Sequence, residues 1–430
     1  MIRETREGKL FFDGVDMTEL AKKHGTPLYV YSENDIIGRF DDLRKNFVEK
    51  YERVRVAYAA KAFFPLAMAK LVDECGMCVD VVSGGELYTA IKAGFPAEKI
   101  EFNGNNKSYK ELEMAVEYEI GRIIVDSLQE VALIEKICKE KGKVAKILFR
   151  VTPGVKSSSH DYIVTGKKDS KFGIPLDDEI IMPQIKAAID SEYIDFYGLH
   201  FHVGSQLFDN DSHLQATDII LGLVDKIREE FGYEMKELNV GGGFGVTYVD
   251  EERMPYAYFT DPMMEKIEKY YAEKGVRRPN VVIEPGRSIA AEAGLTLYTI
   301  GSIKDIPGIR KYVSVDGGMT DNIRPALYEA KYNADIIGKE NAIKNQIVSI
   351  AGKCCESGDV IIVLKQVPDQ QRLIKSLSEN EQWIEISISD NGPGIPEDIR
   401  SKVFVPNFTT KNTGAGLGLA ISKNIVEGSG

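Results

Sequence analysis

The stretch VRVAYAAKAFFPLAMAKLVDECGMCVDVVSGGEL, residues 54–87, holds one strand–helix–strand unit. VRVAY (54–58) is a short β-branched run, PLAMAKLVDEC (65–75) spaces its apolar residues three and four apart, and CVDVV (78–82) is a second apolar run closed by a glycine-rich turn. The same alternation continues outward through IEFN (100–103), RIIVD (122–126), KILFRV (146–151), FYGLHFHV (196–203), ELNV (237–240) and NVVIE (280–284). Segments such as GELYTAIKAG, SYKELEMAVEYE and SLQEVALIEKICKEKG read as the intervening helices. Near-continuous apolar strands alternating with amphipathic helices predict a parallel sheet buried on both faces. Eight such units in about 230 residues predict an α/β fold, a closed (β/α)8 TIM barrel.

Chemistry in that architecture sits where each strand ends. The residues there are Lys61, Ser83 with Gly84 to Glu86, Asn103, Asp126, Arg150, His202 with Ser205, Gly241 to Gly243, and Glu284 with Gly286 and Arg287. Past Arg287 the helices fade into LTLYTIGSI, KYVSVDGG and QIVSIAGK, which predict a smaller, mainly antiparallel β domain. KLFFDGVDM near the start also alternates like a strand, and residues 1–26 are expected to join that domain.

Composition bounds the function. Hydrophobic residues make up 43% and charged residues 28%, the balance of a globular chain, and a net charge of −12 repels phosphate backbones, which argues against nucleic acid. The charged MIRETREGKL and the lack of an 18-residue apolar run argue against a membrane partner and predict a cytoplasmic protein. Five cysteines, two of them adjacent at Cys354 and Cys355, do not form a secreted disulfide framework. Cys75 and Cys78 have metal spacing but lack a second pair, so no metal is expected there.

Lys61 in AYAAKA sits among alanines, where a desolvated amine becomes a nucleophile toward an aldehyde; taken alone it reads as a surface lysine. The run GGGFG (241–245) leaves a strand directly, and its side-chain-free residues let backbone N–H groups close on a phosphate, or else make a tight turn. Glu284 in VVIEPGR needs a cation if it is buried, and a protonated pyridine nitrogen is one; the bland alternative is an ion pair with Arg287. His200 and His202 fall two apart on one strand face, where zinc ligation or ring stacking are the choices, and stacking by His202 with a phosphate bond from Ser205 is favoured.

In order, AYAAKA, DVVSGGEL, FNGNNKS, HFHVGSQ, NVGGGFG, EPGR, VDGGMTDNIRPALY and KCCES resemble the signature run of the diaminopimelate decarboxylases, within the alanine-racemase-like barrel family. The resemblance covers residues 1 to about 360 and implies a pyridoxal-phosphate enzyme that decarboxylates meso-diaminopimelate to lysine. It implies that Lys61 links to the cofactor aldehyde, His202 stacks on the ring, Ser205 with Gly241, Gly242 and Gly243 binds phosphate, and Glu284 holds the pyridine nitrogen, with Gly286 and Arg287 beside the cofactor. Arg287, Arg324 and Tyr328 would take the substrate carboxylates, Glu356 the distal amine, and Cys355 would return a proton. The family's cysteine loop reaches into a second subunit, so a homodimer with shared active sites is implied. An ornithine or arginine decarboxylase is the alternative within the fold, and CCES argues against it because those enzymes place an aspartate after the cysteine.

Beyond CCESGDVII the resemblance stops. WIEISISDNGPGIPEDIRSKVFVPNFTTKNTGAGLGLAISKNIVEGSG resembles the C-terminal part of a sensor histidine kinase ATP-binding domain, with Asp390 reading an adenine amine and GAGLGLA opening a helix toward phosphates. The asparagine-bearing helix expected before WIEIS is not matched by VPDQQRLIKSLSEN. The chain therefore reads as a chimera with its seam near Gly358 to Val363, in which a nucleotide-binding role for 361–430 is the third reading. Expected domains are 1–26, a barrel over 27–287, a truncated β domain over 288–360 and an α+β histidine-kinase-like fragment over 361–430.

Overall fold

A computed structural model of the chain describes residues 3–155, 170–328, 330–339, 346–354 and 360–364. All lie in the first of two units into which the chain divides, Met1–Pro368 and Asp369–Gly430. Cys355, Glu356 and the expectations for Asp390 and GAGLGLA fall outside the described residues.

Eight parallel strands close into a ring: Val54–Ala59, Cys78–Val81, Ile100–Phe102, Arg122–Val125, Ala145–Thr152, Ile194–His200, Glu237–Asn239 and Asn280–Ile283. Each pairs with the next, and Val282↔Arg55 joins the eighth to the first. The expected (β/α)8 barrel is present. Some of its helices are capped by side chains, as at Ser108, whose hydroxyl accepts the Glu111 N–H while Glu111 reaches back to the Ser108 N–H. One apolar cluster runs around the barrel through Phe40, Val79, Phe102, Phe149, Phe196 and Ile283, all nearly or wholly shut off from water.

Inside the ring the packing differs from the apolar layers that eight hydrophobic strands suggest. Arg122 donates to both Glu237 oxygens at 2.8 and 2.9 Å, and Arg55 bridges Glu237 and Glu101. Because charges this deep lose their water, such a network specifies one register more than it stabilises the fold. The polar residues alternate along the strands, so the inward face carries them and the outward face packs the helices.

Outside the barrel, Lys9–Phe12 is a strand as its alternation suggests, yet it pairs antiparallel with Arg3–Arg6 and Val15–Asp16 in a separate three-stranded sheet. Phe12 and Met17 then pack with Leu297 and Ile337, so this segment meets the later domain through side chains and not through strand pairing. Leu28–Tyr31 pairs with Gly294–Leu297, which ties the chain's entry to the barrel to its exit. The later sheet has four strands, Ile300–Ile306, Arg310–Val315, Val348–Ala351 and Val360–Leu364, antiparallel except for the middle pair. Its last strand runs through the seam inferred from the motifs.

Candidate active site

The strand ends bring most of the singled-out residues to one mouth. Lys61 lies in a single 3-10 turn, Ala60–Ala62, directly after the first strand. Its side chain is exposed, not desolvated as its alanine-rich neighbours suggest, because the turn lifts it out of the wall and over the mouth. From there its charge acts on Asp80, Glu86, His202 and Glu284.

Glu284 follows the eighth strand and is buried. Its Oε1 accepts from Asn239 Nδ2 at 2.8 Å and Asn103 Nδ2 at 3.3 Å, and His200 Nε2 lies 3.2 Å from Oε2. Burial opposes the carboxylate's charge, yet His200 above all, with Lys61, overcomes it and holds Glu284 at about 2. The Glu284–Arg287 pair considered as the bland alternative does not form: Arg287 Nη1 donates instead to Gln206 Oε1 at 3.4 Å. Asp80, which Asn103 meets at 2.7 Å, is pushed well above the usual carboxylate range by burial and by the Glu284 charge. Two neighbouring carboxyls are thus pushed in opposite directions.

The sixth strand stops at His200, two residues short of the expected shared face, so His202 stands on the loop. His200 turns inward to Glu284, while His202 Nδ1 accepts the Gly242 N–H at 3.3 Å. Burial, with the Lys61 and Arg150 cations, holds His202 well below the usual histidine range, so its ring is neutral. Ser205 lies on the same loop, which packs on the glycine run: Leu207 N–H donates to the Gly243 carbonyl at 2.9 Å.

Close packing explains the glycines. A Cβ on Gly242 would run into the Glu284 carbonyl, and one on Gly243 into the Gly204 carbonyl, while Gly241 and Gly243 hold φ of +70° and +101°. Of the three amides proposed for phosphate, those of Gly241 and Gly242 donate within the protein, to Asn239 Oδ1 and His202 Nδ1. Gly286 abuts Ala59, with the added Cβ meeting the Ala59 Cβ at 2.8 Å, which sets the Glu284 loop against the strand that leads to Lys61.

Arg287 and Arg324 converge on Tyr248, a residue that no motif singles out. Tyr248 sits beside Arg287, and the Arg324 guanidinium lies 4.3 Å above its ring. Arg324 also donates to the Tyr332 hydroxyl at 2.5 Å, whereas Tyr328 on the helix Arg324–Tyr328 stays 40% exposed. Asn239 and Gln206 are the other residues that reasoning from motifs did not single out, whereas Asn103, named at its strand end, is found to reach Glu284. Asn239 was the most readable of them, since ELN alternates polar, apolar, polar on a strand buried on both sides.

A glycine loop, a buried carboxylate and a lysine facing one mouth are the equipment of a pyridoxal enzyme. Residues 33–291 match the pyridoxal binding domain of the pyridoxal-dependent decarboxylases, and the chain belongs to that family, whose cofactor is pyridoxal 5'-phosphate. Within the family it is similar to the diaminopimelate decarboxylases: that of Bacillus subtilis is 47% identical over 361 residues, covering 84% of this chain and 82% of its relative. The Staphylococcus aureus enzyme is 39% identical over 368 residues, 85% of this chain and 86% of its own. The crystal structure of diaminopimelate decarboxylase from M. jannaschii with L-lysine superposes with a TM-score of 0.77 at 40% identity, covering 85% of each chain. That from Helicobacter pylori, also with L-lysine, gives 0.72 at 30% identity, over 81% of this chain and 85% of the other. Residues 340–430 match the histidine kinase-, DNA gyrase B- and HSP90-like ATPases, a span that begins upstream of the seam read from the motifs. Among the described residues no helix is long and apolar enough to cross a membrane.

Proposed function

We propose that this chain removes carbon dioxide from meso-2,6-diaminopimelate to leave L-lysine, as a cytoplasmic homodimer. The observation that carries the substrate is the convergence of Arg287 and Arg324 on Tyr248 beside the mouth that holds Lys61 and Glu284. Two guanidiniums suit a substrate with a carboxylate at each end, since each can take one in a bidentate grip. A basic amino acid such as ornithine offers only one. The relatives named above as diaminopimelate decarboxylases support the same substrate.

The residues fit the cofactor on two counts: a buried ionised carboxylate and an exposed lysine amine. Bound pyridoxal phosphate supplies an electron sink for the carbanion left when carbon dioxide departs. Lys61 would hold the aldehyde through its amine. Glu284, kept ionised by His200, would hold a proton at the pyridine nitrogen. His202, neutral and half-buried, would cover one face of the ring. Ser205 and Gly241 to Gly243 would bind the phosphate, and Gly286 gives the room that lets the Glu284 loop approach Ala59. Arg287, Arg324 and Tyr328 would orient the carboxylates. Cys355 and Glu356, which follow Lys353 and Cys354 in the chain, keep the roles that the resemblance implies, proton return and distal-amine binding.

The test is substrate discrimination. Arg324→Ala should raise KM for meso-diaminopimelate by roughly 10- to 100-fold, the loss of one charge-assisted contact, with kcat changed far less. An unchanged KM would remove Arg324 from the substrate site.

A further inference from the structure

Asn239 ends the seventh strand two residues ahead of the glycine run and is wholly buried. Its Oδ1 accepts the Gly241 N–H at 2.9 Å. Its Nδ2 donates to Glu284 Oε1 at 2.8 Å and to Glu101 Oε2 at 3.0 Å. The amide's orientation is therefore forced: a backbone N–H can only donate, so the oxygen must face Gly241 and the nitrogen the two carboxylates. Backbone contacts already press the two loops together, since Glu284 N–H donates to the Gly241 carbonyl at 2.8 Å.

We propose that Asn239 is a positioning residue that fixes the glycine loop and the Glu284 carboxylate in one register, and so sets the phosphate end and the ring-nitrogen end of the cofactor together. The proposal rests on the roles given above to Gly241–Gly243 and Glu284. No other side-chain type meets the site as well. Aspartate supplies the oxygen for Gly241 but sets a third carboxyl against Glu284 and Glu101. Leucine or alanine leaves the Gly241 N–H without its acceptor and takes one donor from each of Glu284 and Glu101. Asn103 reaches the same Glu284 oxygen at 3.3 Å but turns its other contact to Asp80, so it carries no link to the glycine loop.

The experiment compares Asn239→Ala in the wild-type and Glu284→Gln backgrounds, using the full chain reconstituted with pyridoxal phosphate. Cofactor Kd is read from the visible band, kcat from lysine formation. Asn239→Ala should raise cofactor Kd about tenfold in both backgrounds, the worth of one anchored loop contact. It should lower kcat by about tenfold or more in the wild-type background alone, because a residue that acts through Glu284 has nothing to act on once that charge is gone. Equal kcat losses in both backgrounds, or an unchanged Kd, would overturn the proposal. If the alanine variant does not fold, Asn239→Asp decides: it keeps the oxygen toward Gly241, so Kd should stay within about threefold while kcat falls at least about tenfold. Parallel changes in the two constants would overturn it. A wild-type chain that forms no Lys61-dependent visible band overturns the underlying reading of the site and this proposal with it, whereas a normal band with indifferent Asn239 variants overturns the proposal alone.

Discussion

His200 Nε2 stands 3.1 Å from Glu284 Oε1, both side chains buried at the end of the barrel interior. This pairing outweighs the burial that would otherwise neutralise the glutamate, and holds it at about 2. Because the folded value lies below the ordinary carboxylate range, Glu284 stays charged through neutral and mildly acid pH, and its contribution to stability is lost only as pH falls toward about 2. His200→Gln removes the imidazole and leaves the burial. The carboxyl should then climb, and the acid limb of the kcat profile should move to higher pH. An acid limb in the same place would show that His200 does not govern Glu284.

Lys61 should carry the cofactor's visible band. Lys61→Ala removes the amine, and because the side chain is exposed in its turn the substitution should barely change the melting temperature. Absorbance of the reconstituted variant is the check; a band equal to wild type would assign the covalent link to another lysine.

Gly242→Ala tests the close approach of two loops. Its Cβ would run into the Glu284 carbonyl, which is backbone and cannot swing away, so the glycine loop must shift. Cofactor Kd should rise at least about tenfold and stability fall by about 1–3 kcal/mol, the usual cost of forcing atoms into a packed site. Equilibrium dialysis and thermal melting give the two numbers, and a variant that melts and binds as wild type does would mean the loop has slack.

The barrel interior carries its own prediction. Burial, with the Glu237 and Glu284 carboxylates, pushes Glu101 up to about 8 against the opposing pull of Arg55. A raised acid favours the fold while protonated, so its contribution is present below the ordinary carboxylate value and is lost as pH rises toward about 8. Glu101→Gln should flatten the decline in melting temperature between pH 5 and 8 by an amount worth at least about 1 kcal/mol. Identical slopes in the two proteins would place the titration elsewhere.

What the sequence made legible was everything fixed by local pattern. Strand and helix periods gave the barrel, and because chemistry gathers at strand ends, Lys61, the glycine run and Glu284 could be named before any contact was known. What escaped notice depends on closure. Asn239, Asn103 and His200 come from three different strands or strand ends and meet Glu284 only when eight strands share one register. Their polar character was visible in ELN, FN and LHFH, but a near-continuous apolar run hides which alternate residues face inward. Tyr248 and Gln206 come from loops, whose reach no period predicts. His202 shows the opposite failure: its spacing from His200 was right, but the strand that would have given both one face ends at His200.

The most direct measurement of the central claim is carbon dioxide and lysine release by the purified chain, reconstituted with pyridoxal phosphate and offered meso-diaminopimelate, ornithine and arginine in parallel. Equimolar carbon dioxide and lysine from meso-diaminopimelate, abolished by Lys61→Ala, is the predicted result. Turnover of ornithine or arginine in preference to meso-diaminopimelate, or turnover that survives the loss of Lys61, would contradict it.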